Sequence, residues 1–357
     1  MLSRKPSPDY HRLLTALSRR GLPDRVPFIE LFADQEIIDE CNRRMGYTPE
    51  GKTALESDLR AAINFYYHLG YDYLPFAELD GLEFPLPRLE AADTAALPRE
   101  KRGWLDEHGG PIATWVDFEN YPWPDPVNFD TRRLELAARL LPEGMCIASP
   151  CHSVFEYVTW LMGYETLCYK LYDAPDLVDA MFEKVGQLHL AAAEVLVQCD
   201  RVEILFGGDD MGFRSGTMIG PGILVSKSLI WHKKIAEVAH AHGKPDVLHS
   251  CGNLESIMDF LIDEVKIDAR HSFEDVHSPV TEQKRKYGHR LALCGGIDMD
   301  VLCRSAPEQV HAYTRRVLEV CMPGGGYCLG SGNTVANYVP IDNYLAMLEE
   351  GVASGVY

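Results

Sequence analysis

Residues 245–261, PDVLHSCGNLESIMDFL, have the pattern of one strand followed by one helix. The apolar run at the start lacks polar alternation, as do strands that are covered on both faces in a parallel sheet. The residues that follow have apolar positions at helical spacing. Apolar runs of the same kind recur along the chain at 26–31, 71–76, 145–151, 202–208, 266–272, 290–297 and 326–332.

These runs make eight predicted strands, and segments of helical period separate most of them. Helices are predicted at 153–173, at 174–199 and at 305–321, where Ser305 before Pro307 indicates an N-cap. The alternation predicts an α/β fold, most simply a (β/α)8 TIM barrel of the kind found in many enzymes. A doubly wound open sheet is the alternative architecture.

The whole chain, residues 1–357, is expected to form one TIM-barrel domain, because single barrels commonly have lengths of this order. A proline-rich stretch at 77–130 shows no helical period. We therefore predict that it is an excursion from the barrel, with a hairpin around Gly109 and Gly110.

The composition limits the classes of partner. The 34 Lys and Arg residues are outnumbered by 53 Asp and Glu residues, which gives a formal net charge of −19. This charge repels phosphate backbones and anionic membrane surfaces, so neither nucleic acid nor a membrane is expected as a partner. No signal-peptide pattern and no apolar window long enough for a bilayer is present, so we expect a cytoplasmic protein.

The ten cysteines are scattered singly, which predicts mostly buried, reduced thiols.

Chemically active side chains concentrate at the ends of the predicted strands, where a barrel carries its functional groups. His249 and Cys251 are two residues apart, so both could face one pocket from an extended strand. Cys328 lies in another predicted strand, and distant strand ends meet at the mouth of a closed barrel. One imidazole and two thiolates are a zinc-binding set that leaves a fourth position open. Spacing alone does not select Cys328 over Cys294, and a bare His-x-Cys pair is usually packing.

Five segments of the chain carry a resemblance to a known family. They are GLPDRVPF at 21–28, LMGYETLCYKLYDAPDLVDAMFEKV at 161–185, HSCGN at 249–253, GGID at 295–298 and GGYCLGSGNTVANYVPIDNYLAMLE at 325–349. Together these segments resemble the uroporphyrinogen decarboxylase superfamily. The sequence looks most like the zinc-dependent, corrinoid-linked methyltransferase branch, which includes methylcobalamin:coenzyme M methyltransferases and O-demethylase methyltransferases. The resemblance covers nearly the whole chain. It implies a (β/α)8 barrel with Zn²⁺ on His249, Cys251 and Cys328, and methyl transfer involving methylcobalamin.

The N-terminal part departs from uroporphyrinogen decarboxylase itself, which has an arginine-rich motif for its polycarboxylate substrate. Here the stretch after DRVPF is IELFADQEI, with Glu30, Asp34 and Glu36. Acidic side chains would repel a polyanion, so porphyrinogen decarboxylation is not expected. The alternative functions are a metal-free decarboxylase or lyase of the superfamily and a non-catalytic zinc-bearing barrel.

The implied chemistry requires a separate corrinoid protein as partner. The segment DVHSPV at 275–280 has Val280 where the cobalamin-binding signature D-x-H-x-x-G needs glycine. A zinc ion with two thiolates and one imidazole is formally neutral, so a bound thiol would lose its proton and stay nucleophilic. The open position could instead hold the oxygen of a methyl ether. The methyl donor or acceptor is expected to be a small molecule, and a homodimer is also compatible with the sequence.

Other residues near the strand ends are candidate site residues. Asp209 or Asp210 could orient a ligand histidine, bind zinc, contact substrate or cap a loop, and Asp209 is assigned a catalytic role together with Glu30. Arg270 is the basic residue at the predicted strand ends, which slightly favours a methylated or methoxylated substrate over an anionic thiol. The candidate substrate-binding residues are Phe206, Met211, His152, Asn333 and Asn337.

Overall fold

The computed structural model describes residues 4–75, 78–95, 97, 99, 101–106 and 108–357. Its main feature is a sheet of seven strands that follow one another in chain order and pair in parallel. The strands are β1 (Tyr73–Leu74), β2 (Cys146–Ser149), β3 (Val202–Gly208), β4 (Asp246–His249), β5 (Ala269–His271), β6 (Ala292–Cys294) and β7 (Tyr327–Cys328). Nearly all of their residues are buried, as expected for apolar runs covered on both faces.

The first predicted strand completes the barrel without forming a regular strand. Phe28 pairs with Leu329 in a parallel bridge, which places the segment beside β7. Pro27 has no N–H to donate, so a regular ladder cannot extend through it. On the other side, the Tyr73 hydroxyl of β1 accepts the Glu30 N–H at 2.9 Å and donates to the Glu30 carbonyl. The predicted (β/α)8 barrel is therefore confirmed, and the open-sheet alternative is wrong.

Helices connect the strands and cover the sheet. The α-helices are Tyr10–Leu17, Gln35–Arg44, Ala54–His68, Trp115–Asn120, Arg132–Leu140, Val154–Met162, Tyr164–Asp173, Pro175–Leu196, Pro221–Leu224, Ile230–Ala241, Met258–Phe260, Val280–Tyr287, Met299–Arg304, Pro307–Cys321 and Ile341–Ser354. The shorter helical turns are the 3₁₀ segments Pro126–Asn128 and Glu255–Ile257 and the π segments Val225–Leu229 and Leu261–Val265.

Two of the predicted helices differ in detail from the structure. The helix predicted at 153–173 is interrupted at Gly163, whose φ of 78° lies outside the helical region. The helix predicted at 305–321 has Ala306 as its N-cap rather than Ser305. The Gln309 side chain accepts the Ala306 N–H at 2.9 Å, so this helix start is satisfied without a hydroxyl group.

The predicted excursion contains more regular structure than its composition indicates. Its antiparallel strands Arg88–Ala92 and Lys101–Leu105 form an exposed hairpin. Gly109 and Gly110 follow this hairpin instead of forming its turn, so the predicted position was wrong. The excursion also holds the helix Trp115–Asn120, which is too short to show a period in the sequence.

A continuous hydrophobic core joins the strands to the covering helices in the described residues. Strand residues such as Ile147, Leu205, Leu248 and Leu293 are fully buried in it. Over the same part of the chain, no helix combines the length and apolar character needed to cross a membrane.

The closure of the barrel predicts a severe effect of Gly330→Ala. A Cβ at Gly330 would lie 1.7 Å from the Ile29 carbonyl oxygen, and that backbone is fixed by the pairing between its segment and β7. We expect the free energy of unfolding, measured by urea denaturation, to fall by about 1–3 kcal/mol or more. Gly222→Ala is the control, because nothing lies within 4 Å of its Cβ position. Equal stability of the two variants would show that the closure is not tightly packed.

Candidate metal centre

Three potential metal ligands, Asp210, His249 and Cys251, meet at the carboxyl ends of β3 and β4. One ligand atom from each lies within 4.8 Å of the other two. The His249 Nε2 is 3.4 Å from the Cys251 Sγ and 3.5 Å from the Asp210 Oδ1. Ordinary zinc bond lengths at a tetrahedral angle would place these pairs about 3.6 Å and about 3.3 Å apart. The donors therefore already have nearly the spacing that a bound zinc ion would require.

The two loops that carry these ligands cross closely. The Cys251 N–H donates to the Asp210 Oδ1 at 2.8 Å. Gly252 has a φ of 79°, and a Cβ on it would lie 2.2 Å from the Gly212 backbone. Only glycine allows both this left-handed conformation and this approach. The two loops are thus held together at the position of the ligands.

The protonation of the cluster suits a divalent cation. Burial lowers the pKa of His249, although the Asp210 carboxylate opposes this effect, so the imidazole is neutral. Burial raises the pKa of the Cys251 thiol well above its usual range, and the Asp210 carboxylate raises it further. A cation between the two would displace the thiol proton. With one thiolate, one carboxylate and one neutral imidazole, a centre with Zn²⁺ would be formally neutral.

His271 of β5 orients the ligand histidine. Its Nδ1 lies 2.7 Å from the Nδ1 of His249, and the Phe206 ring packs against it at 5.5 Å between centroids. Burial lowers the pKa of both imidazoles, so both are neutral and only one can donate in this contact. With its Nε2 left free for a metal, His249 carries its proton on Nδ1 and donates it to His271. The sequence analysis missed this role, although two neighbouring predicted strands each end near a histidine.

Two polar side chains donate to the Cys251 sulfur. The Asn333 Nδ2 lies 3.3 Å from the Sγ, and the Ser272 Oγ lies 3.5 Å from it. Ser272 has a φ of 84°, which is unfavourable for a residue with a side chain and is typical of functional sites. Asn333, predicted to bind substrate, therefore lies directly beside a ligand atom.

Cys328, predicted as the third ligand, does not reach the cluster and is corrected to a packing residue. It is fully buried in β7, and its thiol is hydrogen-bonded to that of Cys294 in β6. The register runs from Cys328 through Cys294 and His271 to His249. Three strand spacings of about 4.8 Å each therefore separate the two predicted ligands around the sheet. The carboxylate of Asp210 takes the third position instead.

Asp209, assigned a catalytic role from the sequence, is a structural residue. Its buried carboxylate accepts the N–H groups of Phe155 and Glu156 at 3.0 and 2.8 Å and lies 2.7 Å from the Nε2 of His232. These contacts hold the start of a helix and occupy the carboxylate. Of the two adjacent aspartates, Asp210 is the one that faces the cluster.

Glu156 is an acidic residue near the cluster that the sequence analysis did not single out. A Cβ on Gly208 would lie 3.4 Å from the His249 ring and 3.9 Å from a carboxylate oxygen of Glu156. Gly208, which has no side chain, therefore lies close to both the His249 ring and the Glu156 carboxylate. Met211 and Phe206, predicted as walls of an open mouth, are 0% and 2% exposed and pack behind the site.

Two other predicted substrate-binding residues, His152 and Asn337, are themselves buried and hydrogen-bonded within the protein. The His152 Nε2 lies 2.5 Å from the Asp246 carboxylate, and His152 also lines a cleft of about 120 Å³ with Tyr157 and His189. Asn337 is 1% exposed and uses its amide to hold the excursion. Asn337 is therefore an anchor for the excursion, whereas His152 still borders a cleft next to β2.

Glu30 is fully buried beside the strand end of β7. Its carboxylate accepts the Ser331 N–H at 2.9 Å and is also hydrogen-bonded to the Ser331 hydroxyl. Burial raises the pKa of Glu30 to about 8, against the opposing effect of these hydrogen bonds. Glu30 therefore keeps its proton at neutral pH, which fits its predicted part in proton transfer.

A family comparison explains the fold. The model of the uroporphyrinogen decarboxylase (URO-D) family matches residues 109–351, which is more than half of the chain. The chain belongs to the uroporphyrinogen decarboxylase family. The matched region includes β2 to β7 and all three residues of the metal cluster. A comparison with curated proteins found no match.

Two solved structures are similar to this chain to different degrees. A methyltransferase from Methanosarcina mazei superposes with a TM-score of 0.67 at 16% sequence identity, covering 96% of this chain and 97% of that chain. A putative vitamin-B12 independent methionine synthase from Listeria monocytogenes has a TM-score of 0.47 at 14% identity, covering 98% of each chain. The first likeness shows that the two chains share a fold over nearly their full lengths.

Glu30 should make the free energy of unfolding decrease as the pH rises from about 4.5 to about 8. In this window the unfolded chain has lost the carboxyl proton and the folded chain retains it, so unfolding releases a proton. One proton corresponds to a slope of about 1.4 kcal/mol per pH unit. Glu30→Gln should flatten the profile measured by urea denaturation, whereas Glu308→Gln, at an exposed position, should not. The same slope in Glu30→Gln and in the unmodified protein would contradict this assignment.

Proposed function

We propose that the chain is a zinc-dependent methyltransferase that moves a methyl group between a small methylated or methoxylated substrate, or a thiol, and the cobalt of a corrinoid protein. The observation that carries the proposal is the set of Asp210, His249 and Cys251 at the mouth of the barrel. Membership of the uroporphyrinogen decarboxylase family and the likeness in fold to a methyltransferase from Methanosarcina mazei support it.

The donor set fits zinc better than a harder cation. Thiolate and imidazole ligands favour zinc, whereas magnesium and calcium prefer sites made only of oxygen atoms. Three protein ligands leave one tetrahedral position for an exchangeable ligand, as in catalytic zinc sites. When bound, zinc would act as a Lewis acid that stabilises the negative charge on the substrate oxygen or sulfur as the methyl group leaves.

The surrounding residues have distinct parts in this proposal. His271 keeps His249 in the tautomer that leaves Nε2 free, through the Nδ1 contact of 2.7 Å. Asn333 and Ser272 hold the Cys251 sulfur in place by donating to it. Glu30 holds a proton at neutral pH at the same end of the barrel, which an alcohol or thiol leaving the site requires.

The corrinoid has to come from a second protein in this proposal. His277 is the histidine of DVHSPV, and its ring is engaged with Ser278 at 2.9 Å and with Glu274 at 3.5 Å. Val280, at the position where the cobalamin signature has glycine, packs against Gly296. A partner that brings the cobalt over the barrel mouth would place it opposite the exchangeable zinc position.

Zinc binding tests the ligand set. We expect the protein to bind one Zn²⁺ per chain. We expect Asp210→Ala and Cys251→Ala to lower the affinity for zinc by at least about 10- to 100-fold, because mutations of residues that only support a metal ligand typically cause a loss of this size. Cys328→Ala is the matched control and should retain zinc, because its thiol lies outside the cluster. The affinities are measured by competition with a chromophoric chelator. Retention of zinc in Asp210→Ala or its loss in Cys328→Ala would refute the assigned ligands.

Methyl transfer tests the activity itself. In stopped-flow spectroscopy, the zinc-loaded protein should convert Co(I) cobalamin and a methyl ether into methyl-Co(III) cobalamin and the free alcohol, with uptake of one proton. If the acceptor is a thiol, methyl-Co(III) cobalamin should instead disappear with formation of the thioether and release of the thiol proton. The Cys251→Ala variant should catalyse neither of these two reactions. Inactivity of the zinc-loaded protein with both substrate classes would favour the decarboxylase or lyase chemistry of the family, or a non-catalytic barrel.

A further inference from the structure

Arg270 of β5 is buried beside the metal cluster and forms no ion pair with an acidic residue in the part of the chain that the structure describes. Its side chain is 1% exposed, and its Nη2 donates to the Gly252 carbonyl at 3.2 Å. The Nη1 lies 3.6 Å from the Met258 sulfur, and the guanidinium carbon lies 5.0 Å from the centre of the Phe273 ring. The Nε has no hydrogen-bond partner among the described residues. The guanidinium therefore has one carbonyl, one thioether sulfur and one aromatic face as partners, and none of them carries a negative charge.

This environment differs from that of the two other buried arginines among the described residues, Arg12 and Arg25, which both lie within ion-pair distance of Asp24 and Asp72. Arg12 is 6% exposed and forms ion pairs with Asp24 and Asp72. The acid that acts on Arg270 from the covering helix is Glu255, and its carboxylate is bound to Lys286 and to the Tyr287 hydroxyl. Burial of an uncompensated cation is costly, so a buried arginine normally has an anion close by.

The metal cluster can supply negative charge next to Arg270. The guanidinium binds the carbonyl of Gly252, the residue that follows the ligand Cys251. Its charge also acts on the Cys251 sulfur and the His249 ring. Arg270 thus fixes the loop that carries the thiolate ligand and contributes one positive charge to the site.

We propose that Arg270 is a positioning residue of the metal centre and that its charge makes the exchangeable ligand an anion, namely the thiolate or alkoxide form of the substrate. The inference rests on the proposed zinc site. Zn²⁺ with Asp210, the Cys251 thiolate and neutral His249 carries no net charge, so the centre together with Arg270 carries one positive charge. An anion at the fourth position cancels it, whereas water or an intact ether leaves it uncompensated.

This assignment names the form in which either substrate class contacts the metal. In the removal of a methyl group from an ether, the anion is the alkoxide or phenolate product. In the methylation of a thiol, the anion is the thiolate that attacks the methyl group. A centre that binds the anion more tightly than the neutral form therefore stabilises the alkoxide or phenolate that leaves the methyl group, and it also stabilises the thiolate that accepts a methyl group.

Ligand binding to the Co²⁺-substituted protein tests the inference without any methyl transfer. The variants are Arg270→Met, which keeps the volume and the apolar contacts, and Arg270→Lys, which keeps the charge. Arg290→Met is the matched control, because it removes an exposed arginine that pairs with Asp259 and Asp263. The probes are 2-mercaptoethanol and phenol, which bind as anions, and imidazole, which binds as a neutral ligand. The dissociation constants come from the visible spectrum of Co²⁺.

We expect Arg270→Met to bind Co²⁺ but to weaken thiolate and phenolate binding by about tenfold or more, which corresponds to about 1.4 kcal/mol. Imidazole affinity should change much less, Arg270→Lys should recover most of the anion affinity, and Arg290→Met should resemble the unmodified protein. An equal loss for imidazole and the anions, or no loss for the anions, would overturn the inference.

A measurement on the unmodified protein keeps the inference testable if Arg270→Met does not fold. Calorimetric titration with 2-mercaptoethanol in two buffers of different ionisation enthalpy should show the release of one proton per thiol bound. Binding without proton release would overturn the inference, while the metal site and methyl transfer could still stand. Failure of the unmodified protein to bind Co²⁺ or Zn²⁺ would instead overturn the proposed site, and the inference with it.

Discussion

The parallel register of β3, β4 and β5 is the constraint on which the candidate site depends. Backbone pairing aligns Gly208 with His249 and His249 with His271. This alignment brings the two imidazoles into contact and leaves a residue without a side chain beside the ligand histidine. The residues just beyond these strand ends, Asp210 and Cys251, then complete the cluster, so the backbone hydrogen bonds of the barrel position His249 and the first residues of the two loops that carry the other candidate ligands.

The sequence could predict whatever depends on neighbours along the chain. Apolar runs without alternation located the strands, and the two-residue spacing of His249 and Cys251 correctly put them on one side. The sequence could not predict which distant residue joins them, because that depends on how many strands lie between two strand ends around the barrel. Cys328 failed for this reason. The choice between Asp209 and Asp210 failed because it depends on which carboxylate accepts the N–H groups at the start of the helix Val154–Met162, which is distant in the sequence.

The surroundings of two buried ionisable side chains could not be predicted from the sequence either. Glu30 and Arg270 are both fully covered, and both lie in predicted strands, but the pattern of apolar residues does not show which groups surround a polar side chain in such a strand. Burial of a charge depends on the elements that fold over it, here the return of the chain at Ser331 and the turn that carries Gly252 and Met258. Burial of such groups lowers stability, and perturbed ionisable groups cluster at functional sites, which is why both residues are informative about the chemistry of this site.

The replacement of a predicted second thiolate by a carboxylate bears on which reaction the proposed centre would favour. Both ligands carry one negative charge, so the formal charge of the centre is the same. A carboxylate donates less electron density than a thiolate, and the hydrogen bonds from Asn333 and Ser272 withdraw density from the remaining sulfur. Zinc in this ligand set would keep more of its positive charge than zinc bound by two thiolates that accept no hydrogen bonds. It would stabilise a departing alkoxide better than it would preserve the nucleophilicity of a bound thiolate, so the ligand set favours removal of a methyl group from an oxygen atom.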